Sequence, residues 1–334
     1  MLAPQKSRVP ISGGYGGLIA PGEMGVNAFP SPVPEPSMRI CLVINPSTAD
    51  CMAELRTEVV RLRARGDEVV PRLTFEKGDG TAFAREAAEA GFDLVIAAGG
   101  DGTVNEVASG LHGYAEAQNG RGKMPRLGII PLGTGNDFSG AQGVPDDTAA
   151  AIAVAISGKP LALDVATING KCFVNVSTGG AGAEATEETP DEAKRILGSV
   201  AYFITGVKKL VRLAPSHARF TAAEEIYDGP FLIFAVGNSG RTGGGNWIAP
   251  RADPGDGLLD LCIVKEVPRR ELLKLLPEIR AGEHLDHPAV IYRRVRELQV
   301  ESAEELSVNA DGEPMSGKVF RYAISPYQIM ATLG

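Results

Sequence analysis

Asp93-Leu-Val-Ile-Ala-Ala-Gly-Gly-Asp-Gly-Thr-Val-Asn-Glu106 decides the reading of this chain. A wholly apolar run, Asp93–Ala98, has the length and composition of a strand buried on both faces. Two glycines, one carboxylate and a third glycine follow, and then a helical stretch, Thr103–Leu111. In open parallel sheets ligands gather beyond the carboxyl ends of the strands. Glycines let backbone N–H groups approach phosphate oxygens, and a helix that starts there turns its positive end to the same spot. Gly99, Gly100 and Gly102 are therefore read as phosphate-facing, with Thr103 adding a hydroxyl. Asp101 is too negative to meet a phosphate directly, so Mg²⁺ through water, or the nucleotide sugar, is its expected partner.

Working outward, strands and helices alternate. Arg39–Ile44 is a strand ending in Asn45-Pro46-Ser47, and Ala49–Arg65 is helical up to Gly66. Glu68–Phe75 reads as a strand with Thr74 near its end, Thr81–Ala90 as a helix, Leu127–Pro131 as a strand and Asp146–Ile156 as a helix. This order of elements predicts a parallel sheet covered on both sides over residues 38–160. A second glycine loop follows the strand at Leu127, in Pro131-Leu-Gly-Thr-Gly-Asn-Asp-Phe138, with Gly133, Thr134, Asn136 and Asp137 as candidate nucleotide contacts. It would lie beside the first. Neither a Walker A motif nor a G-x-G-x-x-G run occurs. That removes P-loop kinases and the usual dinucleotide fingerprint.

After Pro160 the pattern becomes antiparallel. Leu161–Ile168 and Lys171–Ser177 flank Asn169-Gly170, a strong hairpin signal. Strands are expected at Ala218–Ala223, Pro230–Val236, Leu258–Val264, Glu297–Glu301 and Val319–Ile324, with helices near Asp191–Leu213 and Arg269–Ala281. The second domain, 161–334, thus reads as a β-sandwich, its last segment free to return to the first. Residues 1–37, rich in Pro, Gly and Ser, read as a disordered leader.

Two turns carry carboxylates. Asn309-Ala-Asp311-Gly-Glu313-Pro314 follows a strand. Asp311 or Glu313 could accept a proton from an attacking hydroxyl if it reaches a cleft between the domains. Asp253-Pro-Gly-Asp256-Gly-Leu258 clusters oxygens that suit a hard cation such as Mg²⁺. The glycines 243–245 just before it suggest a mobile loop near substrate.

Composition narrows the classes. A net charge of −8 argues against broad binding to nucleic acid or anionic membranes. No apolar run approaches the roughly 20 residues that span a bilayer, so membrane contact would be peripheral. The four cysteines form no Cys-x-x-Cys pair, which fits a reducing cytoplasm.

Together these motifs resemble the diacylglycerol kinase catalytic-domain family, which includes bacterial lipid kinases and sphingosine and ceramide kinases. Gly99–Glu106, with Asn105 and Glu106 closing it, resembles the family's nucleotide loop, and Pro131–Phe138 is similar to its second loop. Asn45-Pro46 and Thr74 stand where nucleotide contacts are expected, although the glycine that often follows the Asn-Pro opening is missing here. The resemblance covers Met38 to the C-terminus. It implies a phosphofructokinase-like α/β domain joined to a β-sandwich, ATP and Mg²⁺, and Glu313 as base beside Asp311. Around a structural Mg²⁺ it implies Asp253, Asp256 and the Leu258 main chain. A lipid at a membrane surface is the implied partner, with a homodimer left open. Lys194–Leu213, with five basic residues and an apolar side, reads as a domain-covering helix or a membrane-facing element. NAD kinases and sugar-phosphate kinases share Gly-Gly-Asp-Gly, but the second loop and the Asp-Gly-Glu turn are closer to the lipid branch. A nucleotide-binding regulator without catalysis is the remaining alternative, against which the candidate base and metal ligands count.

Overall fold

A computed structural model of the chain describes residues 37–46, 51–180 and 214–334. The leader and the Asp191–Leu213 helix lie outside the described residues. Within the α/β half, β1 (Arg39–Ile44), β2 (Glu68–Leu73), β3 (Leu94–Gly99) and β4 (Arg126–Pro131) are parallel neighbours in the order β2-β1-β3-β4. Helices α1 (Met52–Ala64), α2 (Asp79–Glu89), α3 (Asp101–Ala117) and α5 (Thr148–Ser157), with the one-turn α4 (Asp137–Ala141), connect and cover them. Every residue of β3 is buried, as its unbroken apolar run requires for a central strand covered on both faces.

Two more strands complete this sheet. β17 (Ile329–Thr332), at the far end of the chain, adds parallel to β4, and β5 (Pro160–Leu163) adds antiparallel to β17. The chain therefore leaves the α/β half after Leu163 and returns to it with its last strand. Ile329, Ala331 and Leu333 join the same apolar core as Ile40, Leu94 and Leu127.

Between these crossings lies a nine-stranded sheet in the order β14-β13-β10-β8-β15-β16-β6-β7, with β9 bridging β10 and β15. Its members are β6 (Ala166–Ile168), β7 (Lys171–Phe173), β8 (Val176–Gly180), β9 (Ser216–Thr221), β10 (Glu225–Gly237), β13 (Leu259–Lys265), β14 (Val290–Val295), β15 (Glu297–Ala310) and β16 (Glu313–Ile324). β10 and β15 are long enough to pair with β9 over one half and β8 over the other, so the sheet folds over itself into a sandwich. Phe220, Phe231 and Phe234 fill it, with ring centres 5.5, 5.3 and 5.6 Å apart. Edge-to-face contact of this kind suits the quadrupole of aromatic rings. A small hairpin, β11 (Arg241–Thr242) and β12 (Asn246–Trp247), and one helix, α6 (Arg269–Ala281), complete the half.

The β6–β7 hairpin turns at Asn169 and Gly170, with φ of 48° and 82°. Two left-handed residues in succession are what a type I′ turn demands. β15 and β16 run well beyond the short apolar segments legible in sequence. Their middle is polar and solvent-facing, with Ala303, Glu304 and Glu305 exposed and a bulge between Glu301 and Leu306.

Candidate active site

Gly99 is paired with Pro131 at the carboxyl ends of β3 and β4, so both glycine loops leave the sheet side by side. They touch through their backbones. A Cβ on Gly133 would stand 2.5 Å from the Gly100 Cα, and one on Gly100 would stand 3.2 Å from the Gly133 Cα. Asn136 takes a left-handed conformation, φ 49°, which asparagine tolerates better than most residues. It locks the second loop by accepting from Gly133 N at 2.9 Å and donating to Gly133 O at 3.0 Å. Asp101 ties the loops together: its two oxygens accept from Asp137 N at 3.1 Å and Phe138 N at 2.9 Å, capping α4. Both oxygens are thus engaged within the protein, a positioning role that joins the two loops.

The start of α3 is capped by no side chain, and the N–H groups of a helix's first turn have no partner inside the helix. Gly102, Thr134 and Gly135 are exposed around it, while Thr103 is buried over Gly99. The edge so formed combines unpaired amides, a positive helix end and hydroxyl groups, which is the chemistry of an oxyanion cradle.

Neighbouring strand ends extend that edge. Asn45 N donates to Ala98 O at 3.0 Å, and Thr74 donates from N and Oγ1 to Ile44 O at 3.0 and 3.4 Å. Both residues are therefore held at the tips of β1, which adjoins β3, and β2, which lies beyond β1. Asn105 is buried in α3 with its Oδ1 lacking a hydrogen-bond partner among the described residues. Glu106 faces sideways and accepts from Gly78 N and Gly80 N, each at 2.9 Å. It fastens the β2–α2 loop to α3 and so shapes the rim of the cradle.

Opposite the cradle stands the turn between β15 and β16. Asp311, with φ 49°, turns its carboxyl inward to accept from Val174 N at 2.7 Å, Asn175 N at 3.1 Å and Val176 N at 3.0 Å. Burial pushes that carboxyl up to about 7, the three N–H groups pull the other way, and the charge of nearby Asp101 adds to the rise. Asp311 thus pins the β7–β8 link to the turn. Glu313 opens β16, and its carboxylate forms an ion pair with Lys77 Nζ of the β2–α2 loop. Asp311 is turned inward, whereas Glu313 is partly exposed in its ion pair with Lys77.

A second tie joins the two halves. Asp137 accepts from Gly244 N at 2.9 Å and Gly245 N at 2.7 Å, and burial holds its carboxyl above the usual range, helped by Asp101. The glycines 243–245, with φ of 63°, 80° and 104°, form the tight end of the β11–β12 hairpin. Three successive left-handed residues are the reason only glycine serves there.

The acidic turn is held by hydrogen bonds of its own. Asp253 accepts from Gly255 N at 3.0 Å, and Asp256 accepts from Leu258 N at 3.0 Å while pairing with Arg294. Asp164 pins the turn from the lobe junction, accepting from Gly257 N at 2.6 Å. One oxygen of Asp253 and both of Asp256 thus meet amides or a guanidinium. No group of three or more acidic, His or Cys side chains converges on a metal position among the described residues. The expected metal set of Asp253, Asp256 and the Leu258 main chain thus lies together in one hydrogen-bonded turn.

Sequence reasoning missed Lys77, Asp164 and the bracing role of Glu106. All three act through partners far along the chain, and no local pattern announces them.

This architecture of two touching glycine loops facing a carboxylate turn is matched by known protein families. Residues 39–168 match the model described as the diacylglycerol kinase catalytic domain, and residues 175–332 match the YegS C-terminal NAD kinase beta sandwich-like domain. The chain belongs to the diacylglycerol kinase catalytic-domain family, in its YegS-like branch. Among curated relatives, "Probable lipid kinase YegS-like" of Pseudomonas aeruginosa is 38% identical over 273 residues, covering 82% of this chain and 87% of its own. The protein of that name from Chromohalobacter salexigens is 39% identical over 288 residues, covering 85% and 90%. The crystal structure titled as a "putative diacylglycerol kinase" from Bacillus anthracis superposes with a TM-score of 0.73 at 26% identity, over 89% of this chain and 98% of that one.

Proposed function

We propose that this protein is an ATP-dependent lipid kinase that transfers the γ-phosphoryl group to the hydroxyl of diacylglycerol or a related lipid. The observation that carries this reading is the contact of Gly100 with Gly133 at the uncapped start of α3, with Glu313 reaching the opposite rim. Family membership supports it, as do the names of the relatives.

In this reading the triphosphate lies along the amides of Gly99–Thr103 and Thr134–Asn136, with Asn45 and Thr74 toward the nucleoside. ATP enters with the Mg²⁺ it carries in solution, as substrate. The lipid hydroxyl approaches from the Glu313 side. Its oxygen forms a bond to the γ-phosphorus as the bond to the bridging oxygen breaks, and ADP departs with that electron pair. The hydroxyl proton passes to the Glu313 carboxylate. The cradle amides and helix end stabilise charge on the phosphoryl oxygens, and they are fixed before the reaction begins. Asp101, Asp311 and Glu106 hold the parts in register and touch neither reactant.

None of the helices among the described residues is long and apolar enough to cross a membrane. The acceptor is read as presented at a bilayer surface that the protein visits from the cytoplasm. Labelled ATP incubated side by side with diacylglycerol, sphingoid base, phosphatidylglycerol, ceramide and NAD tests the reading. Label in a chromatographically resolved lipid phosphate is expected. Label in the NAD product alone, or in none, would overturn it.

A further inference from the structure

Lys77 belongs to none of the motifs discussed so far, yet its ammonium lies at the mouth of the cleft. Glu106 accepts from the amides of Gly78 and Gly80, so the loop that carries Lys77 is held against the side of α3, whose exposed N-terminus forms the cradle. The base of the loop is fixed from its own side as well, since Asp79 caps the amides of Phe75 and Glu76 at 2.7 and 2.9 Å. From this fixed loop the Lys77 side chain extends across the cleft to Glu313, 236 residues away. It therefore joins the loop braced on α3 to the carboxylate proposed to accept a proton.

The magnitude of that pair says what it is for. The Lys77 side chain is 74% exposed and that of Glu313 44% exposed. The contact is solvated and screened, and it costs little to open. A pair so weak is a poor lock and adds little to the fold. It does occupy an oxygen of the carboxylate proposed as the base, and a phosphoryl oxygen offers the ammonium a stronger, charge-assisted partner. Lysine suits such an exchange, because its charge sits at the end of a flexible stem and is not committed to one geometry.

We propose that Lys77 is a catalytic residue: it rests on Glu313 in the empty enzyme and moves to the terminal phosphoryl oxygens when ATP binds. The exchange frees Glu313 to take the proton of the acceptor hydroxyl and adds positive charge where the transferring group develops negative charge. No bond is made or broken by Lys77 itself. This inference rests on reading the glycine loops as a triphosphate site.

Its distinctive consequence is selectivity between nucleotides, since ADP lacks the group that Lys77 meets. The test is equilibrium dialysis of the full chain with labelled ATP and, separately, labelled ADP, comparing wild type with Lys77→Met and Lys77→Arg. Lys123→Met serves as the control: Lys123 pairs with Asp93 at the opposite end of β3, so the substitution removes the same charge far from the cradle. Lys77→Met is expected to weaken ATP by about 10- to 100-fold, the worth of one charge-assisted hydrogen bond, with ADP unchanged. Lys77→Arg and Lys123→Met are expected to keep the wild-type preference for ATP. Equal effects of Lys77→Met on both nucleotides, or none on either, would overturn the role of Lys77 and leave the triphosphate site standing. Wild type that binds neither nucleotide would overturn both.

Discussion

Gly100 and Gly133 meet backbone to backbone, at a separation that leaves no room for a side chain on Gly133: its Cβ would fall 2.5 Å from the Gly100 Cα. The atom opposed is main chain, anchored in the cradle and unable to swing aside. Gly133→Ala is therefore expected to spread the two loops, destabilise the fold by about 1–3 kcal/mol and weaken ATP binding. Urea unfolding and nucleotide titration of the purified variant measure the two effects. Gly100→Ala, with its contact at 3.2 Å, is expected to be milder on both.

Asp101 caps α4 through both oxygens, so its substitutions separate positioning from charge. Asp101→Ala loses both bonds and is expected to cost about 0.5–2 kcal/mol, the usual worth of a helix cap, together with most of the transfer rate. Asp101→Asn keeps one accepting oxygen and is expected to fall between that variant and wild type. Thermal unfolding and initial-rate assays on the same preparations check the order.

Two enclosed carboxyls set a pH dependence of stability. Burial raises Asp311 to about 7 and Asp260 to about 6, from an ordinary value of 3.8. The folded state then holds protons that the unfolded chain releases. Between the ordinary carboxylate range and neutrality, folding stability is expected to fall as pH rises, levelling off once both groups are ionised in the folded state. Chemical denaturation at a series of pH values reads that slope. Asp311→Asn is expected to remove its share of the slope. It should also destabilise the turn at all pH values, because three N–H groups lose part of their acceptor.

Much of this was legible in the chain itself. The buried run before Gly99, the second glycine loop after Pro131 and the Asn169-Gly170 hairpin are local signals, and local signals survive in a single sequence. The polar half of β15 and the brief β17 carry no such pattern, because one faces water and the other is only four residues long. The candidate site divided along the same line. The glycine loops declared themselves, whereas the bonds from Asp137 to Gly244, from Asp164 to Gly257 and from Lys77 to Glu313 depend on segments the fold brings together. The acidic turn shows the same limit. Composition gives the oxygens of Asp253 and Asp256 but not the amides and the Arg294 guanidinium that already occupy them.

The proton acceptor is the part of the mechanism with the sharpest consequence, because Glu313→Gln keeps the shape of the side chain and removes its basicity. The decisive measurement is the single-turnover rate of label transfer from bound ATP to diacylglycerol in mixed vesicles, wild type against this variant. A drop of about 10²–10⁴-fold with ATP still bound is the predicted result. Transfer by the variant at the wild-type rate would contradict the account.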